Sequence, residues 1–168
     1  MPLDDVQALV WYRKAAEQGD AAAQTILGKW YSQGKGVPQD DTQAVAWWRK
    51  AADQGFAIAQ TILGSAFHGG KGVPQDDTQA VAWWRKAADQ GNASAQTKLG
   101  AMYFVGNGVP QDYVQAYKWF NLAAARGDKD ASEGRDLLLK RLTPAQLAEA
   151  QRLAREWTES FEKRQVKQ

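Results

Sequence analysis

Residues 36–55 read GVPQDDTQAVAWWRKAADQG, and the same twenty residues return unchanged at residues 72–91. The two copies begin thirty-six residues apart. An internal copy at a fixed period is typical of a repeat protein, in which each unit packs against its neighbours. Identical stretches therefore predict identical interfaces, each made by the second helix of a helical hairpin.

The period of thirty-six covers most of the chain and no insertion breaks it. Leucine–glycine pairs recur at Leu27-Gly28, Leu63-Gly64 and Leu99-Gly100. A tryptophan and a glycine recur at Trp11, Trp47, Trp83 and Trp119 and at Gly19, Gly55, Gly91 and Gly127. The last three glycines follow the second helix, where we expect a left-handed residue to end it.

Each repeat predicts two helices. In the second repeat, small and apolar residues recur at spacings of three and four over residues 57–68, which is typical of a helix. A glycine-rich loop follows at 69–74, and Asp76 then caps a second helix, with Gln79 placed to complete a capping box. The same capping box is predicted for Asp4/Gln7, Asp40/Gln43 and Asp112/Gln115. Since glycine inside a helix costs about 1 kcal/mol relative to alanine, we interpret Gly64 and its equivalents as points of close helix approach.

The composition excludes several classes of protein. The 168 residues are 44% hydrophobic, and 21 basic and 19 acidic residues are mixed along the chain, unlike a nucleic-acid-binding surface. There is no cysteine, which excludes disulfides, thiolate metal sites and a cysteine nucleophile. No apolar run approaches the roughly 20 residues of a membrane-spanning helix, and residues 1–5 lack the features of a signal peptide.

The recurring residues follow the run A-x-x-x-L-G-x-x-[YF]-x-x-G-x-G-V-P-x-D-x-x-x-A-x-x-W-x-x-x-A-A-x-x-G over residues 23–55, 59–91 and 95–127. This run resembles the Sel1-like repeat, a relative of the tetratricopeptide repeat. The resemblance implies an all-α fold, an α–α superhelix (solenoid) of helix hairpins closed by a C-terminal capping helix. We expect one repeat domain over residues 1–168, with a partial repeat (second helix only) at 1–19 and complete repeats at 20–55, 56–91 and 92–127.

Residues 128–164 leave the pattern and resemble the closing helix pair of many bacterial Sel1-like proteins. Thr143 predicts a helix start, with Pro144 in the first turn and Gln146 completing a capping box. The following helix carries one apolar stripe, made of Leu147, Ala150, Ala154, Trp157 and Phe161. We expect this pair to cover the last packing face, and residues 165–168 to form a polar tail.

The resemblance implies a scaffold or adaptor that binds a protein or peptide on the concave face of the solenoid, without catalysis, cofactor or metal. One alternative is a β-lactamase-like or penicillin-binding envelope enzyme, although the paired cysteines of those relatives are absent. Another is a structural module that self-associates through an open N-terminal face. We expect a bacterial protein of the cytoplasm or periplasm.

The candidate binding residues are positions of the first helix that we assign to the concave face. Apart from the threonine that recurs at residues 25, 61 and 97, they differ between repeats while the packing positions stay constant. Exposed apolar residues among them, including Val105, suit a bound peptide or helix; the alternative is drift at solvent-exposed positions. The candidates are Thr25, Lys29, Ser32, Ile58, Thr61, Ser65, His68, Ser94, Thr97, Ala101 and Phe104.

Other chemistry-bearing residues have structural explanations. His68 is the only histidine and has no obvious carboxylate partner in the sequence, so we interpret it as a groove or loop-edge residue. The Asp40-Asp41 and Asp76-Asp77 pairs could suggest a glycosidase, but helix capping explains them. Trp48 and Trp84 could stack on a ligand, and we interpret them as core residues.

Overall fold

The structure is a computed structural model that describes residues 3–166, with side chains described from residue 7 onward. Nine α-helices and no β-strand occur within residues 3–166, which confirms the all-α class. The helices are α1 (Leu3–Glu17), α2 (Ala21–Gln33), α3 (Asp41–Asp53), α4 (Ala57–Gly69), α5 (Asp77–Asp89), α6 (Ala93–Val105), α7 (Tyr113–Ala124), α8 (Lys129–Leu139) and α9 (Pro144–Gln165).

The helices form two compact units that divide within α5, between Trp83 and Trp84. In the first unit, α1 packs on α2, α2 on α3, and α3 on α4. In the second unit, α6 packs on α7, and α7 also contacts α8 and α9. The hairpins α2–α3 and α6–α7 match the helix pairs expected for each repeat.

Glycines in the first helix of a hairpin make room for a large ring on the second. A Cβ atom at Gly28 would lie 2.5 Å from Trp48 Nε1, and one at Gly100 would lie 2.8 Å from the Phe120 ring. The Trp48 indole is buried and donates a hydrogen bond to the Thr25 carbonyl at 3.2 Å. The predicted close approach is therefore present, and Trp48 is a core residue, as is Trp84 at 2% exposure.

A buried glutamine in each first helix holds the end of the preceding second helix. The side-chain amides of Gln24, Gln60 and Gln96 donate to the backbone carbonyls of Ala16, Ala52 and Ala88 at 3.0, 3.0 and 3.1 Å. These carbonyls lie in the last turns of their helices, where backbone acceptors lack a partner within the helix. The sequence analysis did not identify this contact, although the glutamine recurs with the same period.

The glycines that follow the second helices are left-handed as predicted, with φ of 88° at Gly55, 84° at Gly91 and 87° at Gly127. Asp40, Asp76 and Asp112 cap the helices that follow, since their carboxylates accept from the backbone of Gln43, Gln79 and Gln115.

The capping-box prediction is wrong at these three aspartates. The backbone N–H that the glutamine side chain would occupy instead donates to a carbonyl of the preceding helix, for example from Asp40 to Tyr31 at 2.9 Å. Each aspartate thereby joins the two helices of its hairpin. The side chain of Asp4, for which the same box was predicted, lies outside the described residues. At Thr143 the reciprocal bonds with Gln146 are present.

The C-terminal helices complete the second unit. Ala150 and Ala154 of α9 are buried, and Trp157 packs edge-on against Trp119 with ring centroids 6.2 Å apart. Phe161 stacks on Trp157 at 4.9 Å. The predicted stripe therefore faces the packed side of α9, which continues to Gln165, one residue into the predicted tail.

Candidate functional site: a groove between α6 and α8

The predicted binding residues differ widely in exposure. Ser65, Thr97 and Phe104 are half-buried, whereas Lys29, Ile58, His68, Ser94 and Ala101 are exposed. Ile58 is 52% exposed.

The remaining predicted residues, Thr25, Ser32 and Thr61, are buried, each at 8% exposure. Their hydroxyl groups donate to carbonyls of their own helices, at 2.8 to 2.9 Å. Inside helices, the hydroxyl groups of threonine and serine can form their hydrogen bonds with backbone carbonyls of the same helix. A polar residue at these positions was therefore not evidence of solvent exposure. These three residues offer almost no area to a partner.

Two of the predicted residues, Ala101 and Phe104, meet residues of α8 around one cavity in the second unit. The cavity has a volume of about 300 Å³, and its lining is largely apolar. Val105 and Leu137 flank it, at 54% and 51% exposure. The lining consists of Ala101, Phe104, Val105, Phe120, Asp130, Glu133, Gly134 and Leu137; we call it the α6–α8 groove.

Phe120 is held rigidly in the lining of the α6–α8 groove. Its ring lies between two glycines, because a Cβ at either Gly100 or Gly134 would come within 2.8 Å of it. The ring is 6% exposed. Close packing of this kind gives the groove a preformed shape, which lowers the entropic cost of binding.

Phe104 is fixed by its aromatic and cationic neighbours. Its ring lies 5.6 Å from that of Tyr113, and the Arg141 guanidinium lies 5.2 Å from the Phe104 centroid. Arg141 also donates to the Tyr113 hydroxyl at 3.2 Å. The charge of Arg141 is thereby engaged with two aromatic rings.

A second, polar cavity of about 490 Å³ lies in the same unit, lined by α5, α6, α7 and the loop before α7. Lys118 lines it, and burial lowers the pKa of its ammonium group; Asp89 opposes this shift and Arg85 adds to it. Sequence reasoning did not identify this cavity. The available signal was Lys118 itself, since alanine stands at the equivalent positions 46 and 82.

His68 has a carboxylate partner, contrary to the expectation from the sequence. Its Nδ1 lies 2.5 Å from Asp77 Oδ1 at the start of α5. No group of three or more potential metal ligands occurs among residues 3–166. No helix in that part of the chain is long and apolar enough to cross a membrane.

The serine–lysine spacing S-x-x-K, which β-lactamases and penicillin-binding proteins use, occurs twice in the sequence, at residues 32–35 and 160–163. The buried Ser32 hydroxyl donates to the Lys29 carbonyl at 2.9 Å, and the Lys35 ammonium lies 5.1 Å from the Trp30 ring centroid. Ser160 accepts a hydrogen bond from Arg164 at 3.1 Å. Both serines are thus placed in structural contacts.

The chain consists of repeated helix hairpins, in which small residues allow close helix packing, followed by two further helices. This arrangement defines a helical-repeat protein. The Sel1 repeat family model matches residues 1–20, 21–56, 57–92 and 93–128. The chain belongs to the Sel1 repeat family, whose repeats serve as scaffolds for protein interactions.

Solved bacterial structures have the same fold. The protective antigen c5321 of uropathogenic Escherichia coli, which displays an SLR fold, is 43% identical with a TM-score of 0.85 over 92% of this chain and 33% of that one. A Sel1 repeat protein from Oxalobacter formigenes is 34% identical, with a TM-score of 0.70 over 79% of this chain and 60% of its own. These similarities confirm the predicted solenoid class.

Cysteine-rich protein B of Helicobacter pylori is 25% identical, with a TM-score of 0.60 over 77% of this chain and 93% of that one. The present chain has no cysteine. A search of curated proteins gave no match. The chain spans a third of the c5321 structure and three fifths of the Oxalobacter structure.

Proposed function

We propose that this chain is a non-catalytic interaction scaffold that binds a segment of a partner protein in the α6–α8 groove. The observation that carries the proposal is the exposure of Val105 and Leu137 beside a preformed apolar cavity. Exposed apolar side chains that line a concave site are typical of binding grooves. Ala101 and Phe104, which vary between repeats, contribute to the same groove.

A matched pair of leucines on α8 tests this proposal. Leu137 lines the groove, whereas Leu139 does not, and the two are 51% and 45% exposed. We expect Leu137→Asp to weaken binding by about tenfold or more, since burying an unpaired charge in an apolar site is costly. Leu139→Asp should bind as the unsubstituted protein does.

The partner is first captured from an extract of the source bacterium, identified by mass spectrometry and purified. Its affinity for each variant is then measured by calorimetry, after circular dichroism has verified that both variants fold. Equal affinity of the Leu137→Asp and unsubstituted proteins would show that the partner binds elsewhere.

A second candidate function is self-association through α1, and a specific observation favours it. Trp11 is 68% exposed and Val10 is 61% exposed. Among the tryptophans equivalent to Trp11, Trp83 and Trp119 are 7% and 4% exposed, and Trp47 is half-buried. A tryptophan that the repeat pattern normally buries is available here for packing against another copy. We expect sedimentation velocity to show concentration-dependent association that Trp11→Ser abolishes and Val105→Ser leaves unchanged. A protein that stays monomeric at all concentrations contradicts this candidate.

A further inference from the structure

The α6–α8 groove combines apolar surface with two acidic residues on one face of α8. Asp130 and Glu133 are three residues apart, so they lie on the same side of the helix, and both are exposed. Within residues 3–166, no basic group lies within ion-pairing distance of either carboxylate. Arg141, which contacts the Phe104 side of the groove, is engaged with Tyr113 instead.

The position of each residue along α8 gives a structural reason for a negative charge at Asp130 but not at Glu133. Asp130 lies in the first turn, where a negative charge stabilises the helix dipole. Glu133 lies about one turn further along, where that effect has largely decayed. Its carboxylate therefore adds negative charge to the groove beyond what the helix dipole accounts for.

We propose that the occupant of the α6–α8 groove is a protein segment that presents an apolar side chain flanked by lysine or arginine. This inference rests on the proposed function and specifies its ligand. The apolar side chain packs beside Val105 and Leu137, and the basic group pairs with Glu133 and Asp130 at the edge. The aliphatic stem of lysine or arginine adds apolar contact while its charged end stays in water.

Fluorescence anisotropy with three matched synthetic peptides tests the chemistry of the occupant. Each peptide carries fluorescein and the same helix-forming background. The apolar–basic peptide has leucines on one face with flanking arginines, the apolar–acidic peptide has glutamates in place of the arginines, and the polar–basic peptide has serines in place of the leucines. We expect the apolar–basic peptide to bind most tightly.

Variants of the protein then assign the contacts. Glu133→Gln and Asp130→Asn should each weaken the apolar–basic peptide by about two- to fivefold, the range of an exposed ion pair. Leu137→Ser should weaken it by about tenfold. Glu162→Gln, which removes an exposed carboxylate of α9 outside the groove, is the control and should have no effect.

Three outcomes overturn the inference. If the apolar–acidic peptide binds as well as the apolar–basic one, and Leu137→Ser weakens both, the groove binds a segment but not by this charge pattern, so the proposed function stands alone. If no peptide binds, the assigned ligand class is wrong, and the purified natural partner with Leu137→Asp decides separately whether the groove is used at all. Equal binding of the polar–basic peptide would show a purely electrostatic contact and also contradict the inference.

Discussion

The identical stretches at residues 36–55 and 72–91 place an aspartate at the same point of a helix, yet its surroundings differ. The Asp41 carboxylate lies 3.4 Å from Lys71 Nζ, whereas the Asp77 carboxylate lies 2.5 Å from His68 Nδ1. The twenty residues are the same in both copies, so the difference comes from residues outside them. The repeated residues determine where the helices lie, and the variable residues determine which side chains the shared ones contact.

Two variable positions make this difference: the loop position of Lys71, where the next repeat has Asn107, and a position on the first helix of each hairpin. Ser32 occupies the helix position in the first repeat and bonds to its own helix, His68 occupies it in the second, and Phe104 in the third. In the third repeat the aspartate is replaced as well, and Tyr113 packs against Phe104 at 5.6 Å. The same position in the repeat thus carries a hydroxyl group, a histidine that contacts a carboxylate, or an aromatic ring that packs on another, and the aromatic pair borders the α6–α8 groove.

The largest expected effect concerns the contact between the two copies. Gly72, the first residue of the second copy, has φ of 73°, and a Cβ there would overlap the Asp41 backbone carbonyl. Gly72→Ala should therefore destabilise the protein by about 3 kcal/mol or more, since neither backbone can move freely. Urea denaturation measures the loss.

Gly69→Ala is the matched control for this substitution. Gly69 is helical, lies three residues earlier and has nothing within 4 Å of an added Cβ. Alanine there should be neutral or stabilising by up to about 1 kcal/mol. A similar loss in both variants would show that the copies are not held together through the Gly72 loop.

A smaller effect is expected at the buried glutamine shared by all the repeats. Gln96→Leu keeps the volume but leaves the Ala88 carbonyl without the amide donor at 3.1 Å. Because the Ala88 carbonyl still accepts from the Gly91 backbone N–H at 2.9 Å, we expect a cost of about 0.5 to 1.5 kcal/mol, that of one lost hydrogen bond. Gln43→Leu, at an exposed position of α3, should stay within about 0.5 kcal/mol in the same thermal or urea unfolding measurement. A neutral Gln96→Leu would mean that the amide does not stabilise the junction.

The helix hairpins could be predicted from the sequence because each recurring residue type has a single physical explanation. Gly28 is a glycine because an indole lies against it, and Gly91 because the chain is left-handed there. The amide of Gln96 was missed because a polar residue on a helix normally predicts exposure, whereas here it bonds to another helix. The groove was found only in part, since Ala101 and Phe104 belong to a repeat but Glu133 and Leu137 do not.

The His68–Asp77 contact that distinguishes the second copy from the first should contribute little stability. A double-mutant cycle with His68→Ser and Asp77→Asn measures it, and His68→Ser also installs the residue of the first repeat. Because the histidine is 47% exposed, we expect a coupling energy of about 0.2 to 1 kcal/mol. Asp41→Asn with Lys71→Met provides the corresponding value for the first copy. A coupling of several kcal/mol in either cycle would contradict the view that these surface contacts contribute little to the free energy of unfolding.

The smallest effect concerns Lys118, which stands in the third repeat where both copies have alanine, Ala46 and Ala82. Burial lowers the pKa of Lys118 in the folded protein, so between that lowered pKa and the ordinary value of about 10.4 the unfolded chain binds more protons than the folded one. The free energy of unfolding therefore gains a contribution that rises with pH across this interval.

Lys118→Met removes this contribution, and its stability relative to the unsubstituted protein should be greatest near neutral pH and should shrink as the pH approaches about 10.4. Lys140→Met, at an exposed position, should keep a constant difference across the same series of urea unfolding curves. A Lys118→Met difference that does not change with pH would mean that the ammonium group is as well solvated in the folded protein as in the unfolded chain. The lysine would then be a tolerated surface substitution, and the polar cavity beside it would not distinguish the third repeat electrostatically from the two identical copies.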